Sequence, residues 1–239
     1  MLVFASNFWI SVYVQRLIAL FTFTMMTDFL PLFPLKLVVF PGELLNLHIF
    51  EPRYKQLVRE CEDNHITFGI PAYIDDKLMD FGTELKLLGI EQKNEDGSMD
   101  IRTEGVGIFK IHNFYQEAPQ KLYPGADIER MVDNSSGDPK KYELIVKAVE
   151  ELFQLLNIEK DIPTLGNPYL TYELAHHMGF SLAQEYSFLC IPTERKRQHF
   201  MLTHLEQLIP VVIETERLRK KANMNGHFKN VISPGDVEE

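Results

Sequence analysis

The hydrophobic period of this chain changes once, and that change limits what it can fold into. From about Leu30 to Val132 apolar residues alternate with polar ones or run in short blocks. From Asp138 onward they recur every three or four positions. Alternation belongs to half-buried strands and the longer period to amphipathic helices. The sequence therefore predicts an α+β fold, with an antiparallel β barrel or sandwich first and a helical part after it. At 239 residues and 45% hydrophobic content, the chain is large enough to bury a core.

The β-rich part is expected over 26–133. Phe29–Phe40 carries Pro31 and Pro34, which are tolerated only at edges, strand starts or bulges, so it reads as a broken or edge strand. After the Pro41-Gly42 turn, Leu45, Leu47 and Ile49 alternate with Asn46 and His48 and predict a strand. Pro52 suits the first turn of a helix, and Tyr54, Leu57, Val58 and Cys61 give that helix an apolar face. His65–Ile74 reads as a strand. Glu84–Gln92 and Ser98–Thr103 flank Asp96-Gly97, a hairpin signal in which Gly97 takes positive φ. Separate strands follow around 106–112 and 126–132.

The helical part is expected over 138–222. Asp138-Pro139 combines an N-cap with proline at the first helical position. Leu144 to Leu156 then forms a wide apolar stripe. Asn167-Pro168 repeats the start signal, and Gly179 is placed to end the helix that follows. Ser181 and Gln184 have capping-box spacing. A last long helix begins near Pro192-Thr193 and contains Pro210, which predicts a kink or an interruption. Residues 223–239 read as a loose tail.

Residues 1–25 stand apart. The first 24 hold 17 apolar residues and a single charge, Arg16. No basic residue precedes the apolar run, as a secretory signal would require. Arg16 would cost about 2.5–3.5 kcal/mol in the middle of a membrane span. The expectation is translation from Met25 or Met26, with the upstream stretch an extension of the gene model. A membrane anchor is the alternative.

The net charge of −10 argues against a general grip on nucleic acid or anionic lipid. Two cysteines, Cys61 and Cys190, suit a reducing compartment, and the expected location is cytoplasmic. The chain has no P-loop, no G-x-S-x-G elbow and no H-E-x-x-H. His176 and His177 are neighbours and do not share a helix face, so no metal site is expected. The clusters Arg195-Lys196-Arg197 and Arg217 to Lys221 read as solvated helix ends. Phe68, Tyr73, Phe109, Phe114 and Tyr115 serve equally as core or as a stacking platform.

One stretch carries a specific resemblance. Leu30-Pro31-Leu32-Phe33-Pro34-Leu35, Val39-Phe40-Pro41-Gly42 and Leu45 through Phe50-Glu51-Pro52-Arg53-Tyr54 resemble the start of the Lon protease amino-terminal domain, in its stand-alone form. Phe81-Gly82-Thr83, Asp96-Gly97-Ser98 and Thr103 through Ile111 keep that family's order. The likeness covers roughly residues 29–222.

The resemblance implies a PUA-like pseudo-barrel followed by a helical bundle. It implies binding of unfolded or tagged polypeptides, by a module that acts alone or passes them to a separate protease, and it carries over no catalytic residue to this chain; no cofactor and no metal are expected. RNA binding through the barrel is the alternative. Glu51, Arg53 and Tyr54 are the candidate binding residues. Packing explains them too: Arg53 pairing with a carboxylate, and Tyr54 burying its ring.

Overall fold

The computed structural model describes residues 28–132, 134–159, 161–162 and 170–229. The apolar start, the Asn167-Pro168 signal and the Pro234-Gly235 end of the tail lie outside the described residues. The element order is β1 (Asp28–Pro31), β2 (Leu44–Ile49), α1 (Pro52–Asn64), β3 (Phe68–Ile74), β4 (Lys77–Lys93), β5 (Met99–Tyr115) and β6 (Gly125–Met131). Four helices follow: α2 (Pro139–Leu156), α3 (Leu170–Ala175), α4 (Leu182–Leu189) and α5 (Glu194–Lys229).

The six strands form one antiparallel sheet in the order β1-β6-β5-β4-β3, with β2 also on β5. The sheet curls until its ends meet. Leu32 and Leu35 make parallel bridges to Gly69 and Ala72 of β3, and the Phe33 amide donates to the Gly69 carbonyl at 2.7 Å. The proline-bearing first segment is therefore no open edge. Its strand β1 pairs with β6 on one side, and its continuation closes the barrel against β3.

The two strands expected either side of Gly105 are one, β5, of 17 residues. Gly105 lies opposite a register shift at Glu84/Leu85, where a Cβ would strike the Phe40 carbonyl. The glycine bends the strand and leaves it unbroken. The Asp96-Gly97 hairpin forms as its sequence requires, with Gly97 at φ 75°.

Among the described residues, the apolar side chains gather in three clusters. One lies under α1, where Leu57, Val58 and Cys61 pack on Phe68, Ile70, Leu85 and Ile101. A small one joins Leu30, Leu32, Phe109, Ala126 and Ile128. The largest is shared between strands and helices: Val38, Phe40, Ala72 and Ile108 meet Ile145, Val149, Tyr172, Phe188 and Met201. Each such side chain contributes about 1.5–3 kcal/mol on burial, so the helical part is held to the barrel by a continuous core.

The helix signals act locally. The Asp138 carboxylate accepts the Lys140 amide at 3.0 Å, and Asn157 ends α2 in the left-handed conformation. Ser181 and Gln184 form both halves of a capping box. Helix α5 passes Pro210 without interruption and runs to Lys229, into the stretch expected to be tail. Pro210 and Glu206, whose carbonyl the missing N–H would have met, are both exposed, so the lost bond falls on the solvent side of the helix. No helix among the described residues is long and apolar enough to cross a membrane.

Arg197 overturns the reading of its cluster as solvated. It is fully buried. Its guanidinium bonds Glu194 at 3.0 Å, the Tyr172 hydroxyl at 2.9 Å and the Ile191 carbonyl at 2.9 Å. Arg195 and Lys196 are exposed.

Candidate functional site

The Glu51-Pro52-Arg53-Tyr54 motif is the N-terminus of α1. Glu51 is its N-cap residue, and its carbonyl accepts the Tyr54 and Lys55 amides. Its side chain does not cap the helix and instead holds Arg53, with Oε2 2.9 Å from Nε and 2.8 Å from a terminal nitrogen. The Arg53 guanidinium lies 4.5 Å from the centre of the Tyr54 ring, which packs tilted against Phe33 with ring centres 3.9 Å apart. Tyr54 is buried, and that burial raises its phenol pKa, against Arg53, which lowers it, and with Glu51, which raises it. The three residues thus form one chain of contacts, from a carboxylate through a cation to an aromatic ring.

Arg53 and Tyr54 line a groove of about 600 Å³ on the barrel. Pro34, Leu35, Tyr73, Leu78, Phe114 and Pro124 supply most of the remaining wall, with Lys36 and Gln116 at the rim. Glu51 is not part of that wall. Phe114 is 44% exposed and offers its ring to the groove. The two cations are each matched: Arg53 by Glu51, and Lys36 by Asp76 at 3.3 Å. The wall is mostly apolar, and both of its cations are paired.

The aromatic residues considered as a stacking platform do not form one surface. Phe68 and Phe109 are buried in separate clusters, Tyr73 and Phe114 face the groove, and Tyr115 bonds Asp127 at 2.7 Å.

A second concavity, about 430 Å³, separates the Phe40–Leu44 turn from α3 and its C-terminal turn. Phe40, Leu44, Tyr172 and Leu174 make its apolar wall, and Glu43, Asp161, Glu173, His176 and His177 its polar one. His176 bridges the two sides, with Nε2 3.1 Å from Glu43 and Nδ1 2.7 Å from Glu185. Sequence reasoning paired His176 with His177 and missed this arrangement, because Glu43 lies 133 positions away in the chain and Glu185 reaches the ring only once α4 folds back. The only local hint was the i to i+9 spacing of His176 and Glu185, which is not diagnostic. Cys61 lies in the core beneath α1, its pKa pushed up to about 12 by burial and then by Glu60, which is the environment of a packing residue. Among the described residues no group of three metal-ligating side chains comes together.

The comparisons with known proteins agree with this architecture. No curated protein sequence matches the chain significantly. The crystal structure of a Lon N-terminal domain protein from Xanthomonas campestris superposes with a TM-score of 0.58 at 23% identity, covering 74% of this chain and 98% of that one. The N-terminal domain of a Mycobacterium avium complex Lon protease gives 0.57 at 12% identity, covering 75% and 98%. At those identities the likeness establishes the fold. The family model of the ATP-dependent protease La (LON) substrate-binding domain matches residues 29–207. With three quarters of its length under that match and the same barrel and helices in its structural neighbours, the chain belongs to the Lon substrate-binding domain family.

Proposed function

We propose that this chain is a non-catalytic polypeptide-binding module, taking up exposed apolar segments of client proteins and passing them to a separate protease. The observation that carries this reading is the apolar groove built around the Arg53-Tyr54 motif in a domain of a substrate-binding family. Each leucine- or phenylalanine-sized side chain seated there adds about 1.5–3 kcal/mol. Two or three seated side chains give the weak, reversible hold that transfer requires. The free thiols of Cys61 and Cys190 support a cytoplasmic place of work.

The test is fluorescence anisotropy of the full chain with three labelled probes, each at two salt concentrations: an apolar unfolded peptide, a polar scrambled peptide and a short RNA. Saturable binding of the apolar peptide, insensitive to salt and weakened by Arg53→Ala and by Phe114→Ala, is the expected result. RNA binding that falls steeply with salt, or equal binding of the scrambled peptide, overturns it.

A further inference from the structure

Among the described residues, strand β2 is a free edge of the barrel. It pairs with β5 alone, in unbroken register from Leu44↔Glu104 to Ile49↔Met99. The Gly105 amide donates to the Glu43 carbonyl at 2.9 Å. Ladder alternation then turns the main-chain groups of Leu45, Leu47 and Ile49 toward β5 and those of Leu44, Asn46 and His48 outward. Among the described residues no backbone group bonds that outer side. Leu44, Asn46, His48 and Phe50 are all exposed, Leu44 by 52% and Phe50 by 63%.

Natural sheets block such edges with proline, lysine, inward charges or a bulge. Leu44-Leu45-Asn46-Leu47-His48-Ile49 has none of these. The edge also leads somewhere. Leu44, at its start, is part of the wall of the 430 Å³ cleft, where His176 already holds the Glu43 carboxylate and the carboxylates of Asp161 and Glu173 leave the lining acidic on balance.

We infer that β2 binds an extended polypeptide segment by strand addition, with a lysine or arginine of that segment entering the cleft beside Leu44. The inference rests on the polypeptide-binding reading and gives it a second, main-chain-directed site distinct from the Arg53-Tyr54 groove. Main-chain pairing recognises any extended client regardless of sequence, and the acidic cleft fixes where along the client it seats. A second copy fits less well. Two β2 strands paired antiparallel about Asn46 place Leu44 opposite the partner's His48, and β2 itself brings no lysine or arginine to the cleft.

The experiment uses the full chain and a labelled ten-residue probe alternating valine and threonine, ending in arginine. Two control probes carry N-methyl groups at alternate residues, or glutamate for the arginine. Asn46→Pro removes one outward donor and leaves the β5 ladder intact. One lost hydrogen bond corresponds to about three- to tenfold in Kd. The expected result is that rise for Asn46→Pro, with loss of binding on N-methylation and weaker binding of the glutamate probe. N-methylation acts on the probe, so the answer does not depend on the variant folding. Unchanged binding of the N-methylated probe overturns strand addition while polypeptide binding stands. Failure of this probe beside binding of the apolar peptide in the groove does the same, and failure of both overturns both readings. Dimerisation in sedimentation that Asn46→Pro abolishes assigns the edge to a second copy and also overturns the inference.

Discussion

His176 and Glu43 join the helical part to the barrel, the imidazole Nε2 3.1 Å from a carboxylate oxygen that also accepts the Phe40 amide at 2.8 Å. The other ring nitrogen faces Glu185 at 2.7 Å. Burial lowers the imidazole pKa, but hydrogen bonds and charge from Glu43 and Glu185 prevail and push it up to about 9. The folded value is above the unfolded value of about 6.5, so the clamp contributes fully below pH 6.5 and is lost as pH rises through 9. A third of the side chain is exposed, and solvent screening reduces its contribution to about 1–2 kcal/mol. His176→Gln is expected to lower urea stability by that amount at pH 6, with the difference closing by pH 10. A difference of constant size across that range would remove the clamp from the account.

Arg197 is expected to be the most sensitive charged position among the described residues. Arg197→Met removes the guanidinium from the buried Glu194 carboxylate, and breaking a buried pair from one side costs about 3–5 kcal/mol. Arg197→Lys should not rescue it, because one ammonium cannot reach Glu194, the Tyr172 hydroxyl and the Ile191 carbonyl in the guanidinium's planar geometry. Glu194→Gln combined with Arg197→Met should cost less than the sum of the two single changes. Denaturant melts of the four variants beside the unmutated chain check both statements, and additivity would argue against a coupled pair.

The parts of this fold that were legible in sequence are those decided by near neighbours. The Asp138 cap, the Ser181-Gln184 box and the Leu45-Leu47-Ile49 alternation each act within a few residues and took the form expected. Arg197 was illegible because its partners Tyr172 and Ile191 join it only after α3 and α5 pack together. Gly105 looked like a break because the Phe40 carbonyl that requires it lies 65 positions earlier. The open edge was expected at the proline-bearing first strand. Barrel closure occupies that strand through Leu32 and Leu35, and the freedom falls to β2. Arg53 and Tyr54 were identifiable as a motif, but the groove they share with Phe114 and Pro124 exists only once β5 has curled past α1.

Cys61 should be silent toward thiol reagents in the native protein. Its side chain is buried on the inner face of α1, and its pKa of about 12 leaves almost no thiolate at pH 8. Labelling with a disulfide reagent is expected to modify Cys61 only at the rate of unfolding, rising with urea in step with loss of structure. Rapid labelling of Cys61 in buffer, located by peptide mass, would show that α1 opens independently of the barrel.

Gly82, the centre of the Phe81-Gly82-Thr83 motif, is required by backbone contact. A Cβ there would lie 2.6 Å from the Ile70 carbonyl oxygen and 2.6 Å from the Pro71 Cα, and 2.7 Å from the Phe109 ring. The first two are main-chain atoms of the paired strand β3 and cannot swing aside. The neighbouring Thr83 is fully buried and donates its hydroxyl to the Val39 carbonyl, fixing the segment that leads into β2. Gly82→Ala is therefore expected to separate β3 from β4 locally and to destabilise by about 1–3 kcal/mol, as overpacking does. Gly89→Ala, on the same strand with nothing within 4 Å of where a Cβ would sit, is the control and should be near neutral. Equal denaturation midpoints for the two variants would show that β3 and β4 yield without cost, and the motif glycine would need another explanation.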